Sequence, residues 1–116
     1  VLSGGGARAA YQVGVLRAAS NDLPGAAAAL QAAVAANPQF ANARYFLAAV
    51  LAKQGDTKDA LTQMQAIAAL STENAQAVAD QIAQLEAGKN PFPANLLTVA
   101  PSTPSTTDTG ATTQTP

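Results

Sequence analysis

The chain has 116 residues, a length that predicts a single domain. It carries six Lys or Arg and seven Asp or Glu, a net charge of −1, which argues against the clustered basic surface that a nucleic-acid partner needs. It contains no His and no Cys, so the usual imidazole base, thiolate nucleophile and zinc ligands are missing. We therefore expect a protein that is not an enzyme, with no catalytic residues, no metal site and no cofactor.

Residues 23–43 form an uncharged stretch that is long enough to cross a bilayer. Six polar or turn-forming residues interrupt it: Pro24, Gly25, Asn37, Pro38, Gln39 and Asn42. These residues divide the stretch into two pieces joined by a turn. We expect no membrane insertion by this segment.

The first two predicted helices lie before Asn37-Pro38. Helix one spans residues 7–20 and is ended by Asn21-Asp22. Asp22 is suited to cap helix two, because its carboxylate can accept a hydrogen bond from a free backbone N–H group of the first turn. Helix two runs to Ala36, since the residue before a proline is pushed out of the α region.

Three further helices follow from the same kinds of signal. Helix three covers residues 39–54 and ends at Gly55, because glycine readily adopts the left-handed conformation that closes a helix. Asp56 caps helix four, which covers residues 57–70. Helix five starts at Ser71 or Thr72 and ends at Gly88. Five helices joined by short turns predict antiparallel hairpins and an all-α fold.

The helices repeat with a period of 34 residues. Shifting the sequence by 34 positions gives nine identities, which include Tyr11 with Tyr45 and Asp22 with Asp56. A period of this length is typical of helix–turn–helix arrays. The pattern divides the chain into a glycine-rich lead at residues 1–6, repeats at 7–40 and 41–74, a capping helix at 75–88 and a tail at 89–116.

The tail is rich in proline, serine and threonine. From residue 98 to residue 116 it contains eight Thr, two Ser, three Pro and one charged residue, Asp108. Such a segment has no apolar face to bury, so we expect it to be disordered. Truncation after Ala94 should then leave the melting temperature unchanged. Phe92, between two prolines, is expected either to pack on helix five or to belong to the disordered tail.

Residues 41–73 resemble a tetratricopeptide repeat, and residues 7–39 carry a second copy. The matching residues of the more complete copy are Leu47-Ala48, Leu51, Gly55-Asp56, Ala60, Met64 and Ile67. Those of the other copy are Val13-Gly14, Asp22, Ala26, Leu30, Ala33 and Asn37-Pro38. The resemblance implies a solenoid of helix pairs, with about two repeats and a capping helix, in which the first helix of each pair lines a groove.

The resemblance also implies a function, because the groove in this family holds an extended peptide or a helix of another protein. Carried over to this sequence, the groove-lining residues are Arg8, Tyr11, Val15, Asn42, Tyr45, Ala49, Lys53 and Gln76. Two interpretations of the tyrosines stay open, since they either pack between helices or face the ligand. A second function also stays open, in which the module is a structural end-piece of a longer solenoid and has no ligand of its own.

Two segments resemble the C-terminal repeat tails of large bacterial membrane proteins, including those similar to O-antigen ligases. They are residues 37–47 and residues 87–93. This resemblance implies that the repeats belong to a longer chain and lie on the extracytoplasmic face of a bacterial membrane. A cytoplasmic location is the alternative.

Residues 1–16, from Val1 to Leu16, resemble the opening of patatin-like phospholipases, although Ala9 stands where that family usually has a glycine. In that family a glycine run between a strand and a helix presents backbone N–H groups to an oxyanion. The chain has no Gly-x-Ser-x-Gly elbow to supply the nucleophile. The resemblance therefore implies at most a non-catalytic remnant of an acyl hydrolase, and we prefer to interpret residues 7–20 as the first repeat helix.

Overall fold

The computed structural model describes residues 3–98 and places five α-helices there. They are α1 (Ser3–Ala19), α2 (Leu23–Ala36), α3 (Ala41–Lys53), α4 (Thr57–Ala68) and α5 (Thr72–Glu86), followed by a short 3₁₀ helix at Ala94–Thr98. This part of the chain contains no strand, so the predicted all-α fold is confirmed. None of its helices is long and apolar enough to cross a membrane.

The first helix of each pair and α5 end in the same way. Asn21, Gly55 and Gly88 follow these helices and adopt left-handed backbone conformations, with φ of 64°, 90° and 80°. One residue further on, the backbone N–H of Asp22 donates to the carbonyl of Arg17 across 2.8 Å, and the residues after Gly55 and Gly88 make the same kind of bond. These bonds satisfy carbonyls that the helix end leaves free.

The predicted capping residues stand at the starts of α2, α4 and α5. The side chains of Asp22, Asp56 and Ser71 each accept a hydrogen bond from the backbone N–H three residues further on, at 3.0, 3.2 and 3.0 Å. Each bond satisfies one of the N–H groups that the first helical turn leaves without a partner. The residues next to each turn therefore determine where these helices begin.

Successive helices pack against one another in the order α1–α2–α3–α4–α5. The largest fully buried side chains are those of Leu30, Leu47, Val50 and Met64. Small residues between them bring the helices close together. At Gly14 of α1, an added Cβ would lie 2.5 Å from Cγ of Leu30 in α2, so only glycine fits at the present spacing of the two helices.

The start of α1 differs from the prediction. The helix begins at Ser3 and not at Ala7, so residues 3–6 of the predicted glycine-rich lead are helical. Nothing between Ser3 and Ala7 stops the helix, because the segment contains no proline and glycine lowers helix stability without forbidding helical backbone. The glycines that the patatin-like resemblance places in a loop before a helix lie instead inside α1, while residues 1–2 lie outside the described residues.

The beginning of the predicted disordered tail also differs. Residues 89–98 have a defined path in which the side chains of Phe92 and Leu97 are buried, 8% and 4% exposed. Composition pointed to disorder because it averages over the tail, whereas these two apolar side chains offset the cost of ordering their own short segment. The rest of the tail prediction, residues 99–116, lies outside the described residues.

Candidate binding groove

The first helices of the two repeats, α1 and α3, lie on the same side of the structure and contact the same short segment of chain. That segment, Asn90–Thr98, follows α5 and is called here the closing segment. The face of α1 and α3 that it contacts is called the α1–α3 face. Seven of the eight predicted groove residues lie on these two helices: Arg8, Tyr11, Val15, Asn42, Tyr45, Ala49 and Lys53.

The eighth predicted residue, Gln76, lies apart from the others. It is exposed on α5, which packs against α4 and makes no close backbone approach to α3 or to the 3₁₀ helix of the closing segment. The first helices of a solenoid are expected to line one surface, but here α5 ends the array and the chain turns back after it. The described structure therefore brings together the α1 and α3 residues of the predicted groove and not the α5 residue.

The seven residues on α1 and α3 differ in their access to solvent. Arg8, Asn42 and Lys53 are exposed, whereas the two tyrosines are half-buried. Val15 and Ala49 are 2% and 1% exposed, so neither can contact another molecule in this conformation. The polar side chains of the predicted groove are therefore accessible, whereas its apolar side chains are already largely covered.

Tyr11 packs between the two repeats. Its ring lies 5.0 Å from the ring of Phe40 and 5.8 Å from that of Phe46, the second in an edge-to-face arrangement. Burial raises the pKa of the Tyr11 phenol, because the ionised form loses solvation. This position corresponds to the interpretation in which the tyrosine packs between helices.

Tyr45 stands at the same place in the second repeat and has a different partner. Its ring meets the ring of Phe92 in the closing segment, with centroids 5.3 Å apart and planes at 77°. Edge-to-face pairs of this kind are attractive beyond the apolar area that they bury. Tyr45 therefore links α3 to the closing segment.

A cavity of about 200 Å³ lies between the closing segment and α3. Two of the predicted groove residues line it, the buried Ala49 and the exposed Lys53. The remaining lining residues belong to the closing segment: Asn90, Phe92, Pro93, Ala94 and Leu97. The closing segment thus covers this part of the groove without filling it.

The sequence placed Phe92 either on helix five or in the disordered tail, and it did not single out Leu97. Phe92 is buried and contacts Tyr45 of α3 instead of helix five. Arg44 was also missed. Its Nε donates to the carbonyl of Pro38 at 2.8 Å and a terminal nitrogen donates to Gln63 Oε1 at 3.0 Å, which ties α3 to the preceding turn and to α4.

Two acidic side chains, those of Asp56 and Asp59, interact with each other at the start of α4. Asp56 caps α4, and through a hydrogen bond and its charge it raises the pKa of the neighbouring exposed Asp59. Among the described residues, no group of three potential ligand side chains is placed to hold a metal ion.

Paired antiparallel helices that repeat the same caps and the same terminations define a helical-repeat protein. The model of the tetratricopeptide repeat family matches residues 17–85, more than half of the chain, and the chain belongs to this family. Tetratricopeptide repeats generally bind proteins or peptides and are typically non-catalytic, so the chain is a protein-interaction module in this general sense. Comparisons with curated proteins and with solved structures returned no match.

Proposed function

We propose that the module binds a protein or peptide segment in the groove along α1 and α3, with Tyr45 as the strongest single contributor. The observation that carries this proposal is the closing segment itself. A short segment that ends in a 3₁₀ helix packs on the α1–α3 face, and its Phe92 ring contacts the ring of Tyr45. A surface that holds one such segment has the shape and the apolar character to hold another.

The charges of α1 and α3 indicate which charge the partner segment should carry. Of the predicted groove residues on these two helices, Arg8 and Lys53 are cationic and none is acidic. The closing segment contains no charged residue. We expect a partner with apolar anchors and neutral or acidic flanks, because basic flanks would be repelled by these cations.

The test is to select peptides from a display library on the folded chain and to measure their affinity for two variants. Tyr45→Ala should weaken binding by roughly 1–3 kcal/mol, the range of an interface anchor. Gln65→Ala, an exposed position on α4, is the matched control and should bind as the parent does. Circular dichroism shows whether each variant keeps its helix content.

Two results would count against this assignment. A folded Tyr45→Ala variant that binds the selected peptides as tightly as the parent would remove Tyr45 from the contact. An unfolded variant would place the ring in the core and favour the structural interpretation.

A second function, stacking within a longer solenoid, is favoured by two exposed apolar side chains on α1. Val13 and Leu16 are 41% and 52% exposed, whereas their equivalents one repeat later, Leu47 and Val50, are buried. In the second repeat the preceding helix α2 packs against α3, and no described helix takes that place against α1. A photo-crosslinking residue at position 13 should therefore form a crosslink to a neighbouring helix. Absence of any crosslink from this position in the native assembly would refute stacking.

A further inference from the structure

The path of the closing segment is set by the end of α5. Gly88 has φ of 80° and ends the helix, and the chain then runs back across α3 as far as α1. It does not extend the solenoid away from α5. The segment therefore lies over the same α1–α3 face to which the proposed function assigns partner binding.

Two apolar side chains anchor the closing segment. Phe92 and Leu97, five positions apart, are buried, and Leu96 is half-buried against the core, whereas Pro93, Ala94 and Asn95 are exposed. The segment thus presents one side to the groove and the other to solvent. A segment from another protein could present the same two anchors in the same way.

The described hydrogen bonds of the closing segment stay within it. The N–H of Phe92 donates to Asn90 Oδ1 at 2.9 Å, and the N–H of Leu96 donates to the carbonyl of Pro93 at 3.1 Å. The Thr98 hydroxyl donates to the carbonyl of Asn95 at 2.9 Å. Since none of these bonds joins the segment to α1 or α3, leaving the groove breaks apolar contacts and leaves no helix hydrogen bond unpaired.

We propose that the closing segment is a displaceable intramolecular occupant of the groove, and that a partner binds by replacing it. This inference rests on the proposed function and adds the regulation and the chemistry of the same site. The partner segment carries an aromatic and an aliphatic residue about five positions apart and no basic residue between them. Attachment to the same chain gives the closing segment an effective concentration in the millimolar range, so it excludes weak competitors.

The experiment uses the full chain and a synthetic peptide with the sequence of residues 89–98. Binding is followed by amide chemical shifts of α3 in the parent and in a variant that carries both Phe92→Ala and Leu97→Ala. We expect the apparent Kd of the peptide for the double variant to be at least tenfold lower than its apparent Kd for the parent. Asn95→Ala, an exposed position in the same segment, is the matched control and should behave like the parent.

The outcomes separate this inference from the proposed function. If the parent binds the peptide as tightly as the double variant, the groove is not blocked and the inference is wrong, although the proposed function stands. If library peptides bind the parent but the residue 89–98 peptide binds neither form, the closing segment does not act as a ligand and the inference is again wrong. If nothing binds the α1–α3 face of either form, both proposals fail.

A second measurement covers the case in which the double variant does not fold. In the parent, the amide of Leu96 should exchange with solvent at least a hundredfold faster than the buried amides of Leu47 and Leu51, because the closing segment opens while the helices stay formed. Exchange of Leu96 at the rate of global unfolding would show a fixed part of the core and would overturn the inference.

Discussion

Gly14 offers the sharpest test of how the two helices of the first repeat pack. A Cβ at this position would lie 2.5 and 2.8 Å from two atoms of Leu30 and 3.3 Å from the carbonyl oxygen of Ala26. Leu30 is fully buried, so a rotation of its side chain would bring it against other closely packed core atoms. In Gly14→Ala, the two helices must therefore separate by about 1 Å to restore ordinary contact distances of 3.4 Å or more.

Two opposing contributions set the size of the effect. Replacing glycine by alanine inside a helix favours folding by about 1 kcal/mol. Overpacking a core by one methyl group costs about 1–3 kcal/mol. We expect Gly14→Ala to lower the free energy of unfolding by about 1 kcal/mol in sum. Gly6→Ala is the matched control, because nothing lies within 4 Å of a Cβ there, and it should raise the free energy of unfolding by up to about 1 kcal/mol.

The second repeat suggests a compensating substitution. One period later, Ala48 takes the place of Gly14 and Met64 takes the place of Leu30, and both are fully buried. Methionine is unbranched and adapts its shape to neighbours. Leu30→Met should therefore cost less than about 1.5 kcal/mol alone and should restore at least half of the stability lost in Gly14→Ala.

Urea unfolding of the four variants, followed by circular dichroism, gives the free energies and their coupling. A difference of about 2 kcal/mol between Gly14→Ala and Gly6→Ala corresponds to roughly 8–16 °C in melting temperature for a domain of this size. If Gly14→Ala is as stabilising as Gly6→Ala, the close approach of α1 to Leu30 is not real. If Leu30→Met adds its effect independently, the two side chains do not share the contact.

The remaining predictions concern a turn, a phenol and the closing segment. Gly55→Ala should lower the free energy of unfolding by about 1–2 kcal/mol, because an alanine at φ of 90° is strained. No atom lies within 4 Å of the new Cβ, so the backbone strain is the only expected cost. An unchanged midpoint of urea unfolding would contradict the left-handed turn. The pKa of the Tyr11 phenol is raised in the folded state, so the phenol of the unfolded chain ionises at lower pH. The free energy of unfolding should therefore fall as the pH rises above about 10. Thermal melts between pH 8 and 11 should show that Tyr11→Phe removes this part of the loss. A chain that ends after Ala94 should be less stable than one that ends after Thr98 by at least about 1 kcal/mol, because it lacks the buried Leu97. Burial of a leucine contributes about 1.5–3 kcal/mol as an upper bound. Equal melting temperatures would instead support the expectation from composition, that truncation after Ala94 has no effect.

The helix pattern could be predicted from the sequence because its signals are local. Asp22, Asp56 and Ser71 cap helices through hydrogen bonds that span three residues, and Gly55 ends α3 through its own backbone freedom. Such bonds form wherever the residue types occur in that order. The predicted helix ends therefore fall within about two residues of the observed ones, apart from the start of α1.

The candidate site was predicted less completely because it depends on contacts between distant parts of the chain. The family resemblance assigned Ala49 and Lys53 of helix three to the groove, but only the fold shows that a segment about forty residues later lies next to them. Composition could not reveal this, since the few apolar residues of the tail, Phe92 and Leu97 among them, are averaged with many Pro, Ser and Thr. The burial of Val15 and Ala49 follows from the same long-range packing.

The two tyrosines take their aromatic partners from different parts of the chain. Tyr11 finds its aromatic partners, Phe40 and Phe46, at the start of the next repeat. One period further on, the positions equivalent to Phe40 and Phe46 hold Asn74 and Asp80, so α5 offers Tyr45 no aromatic contact. Phe92 supplies the missing ring from the chain that turns back after α5. A partner that displaces the closing segment must therefore replace this ring as well, which is why we expect an aromatic anchor in the partner and the largest loss of binding from Tyr45→Ala.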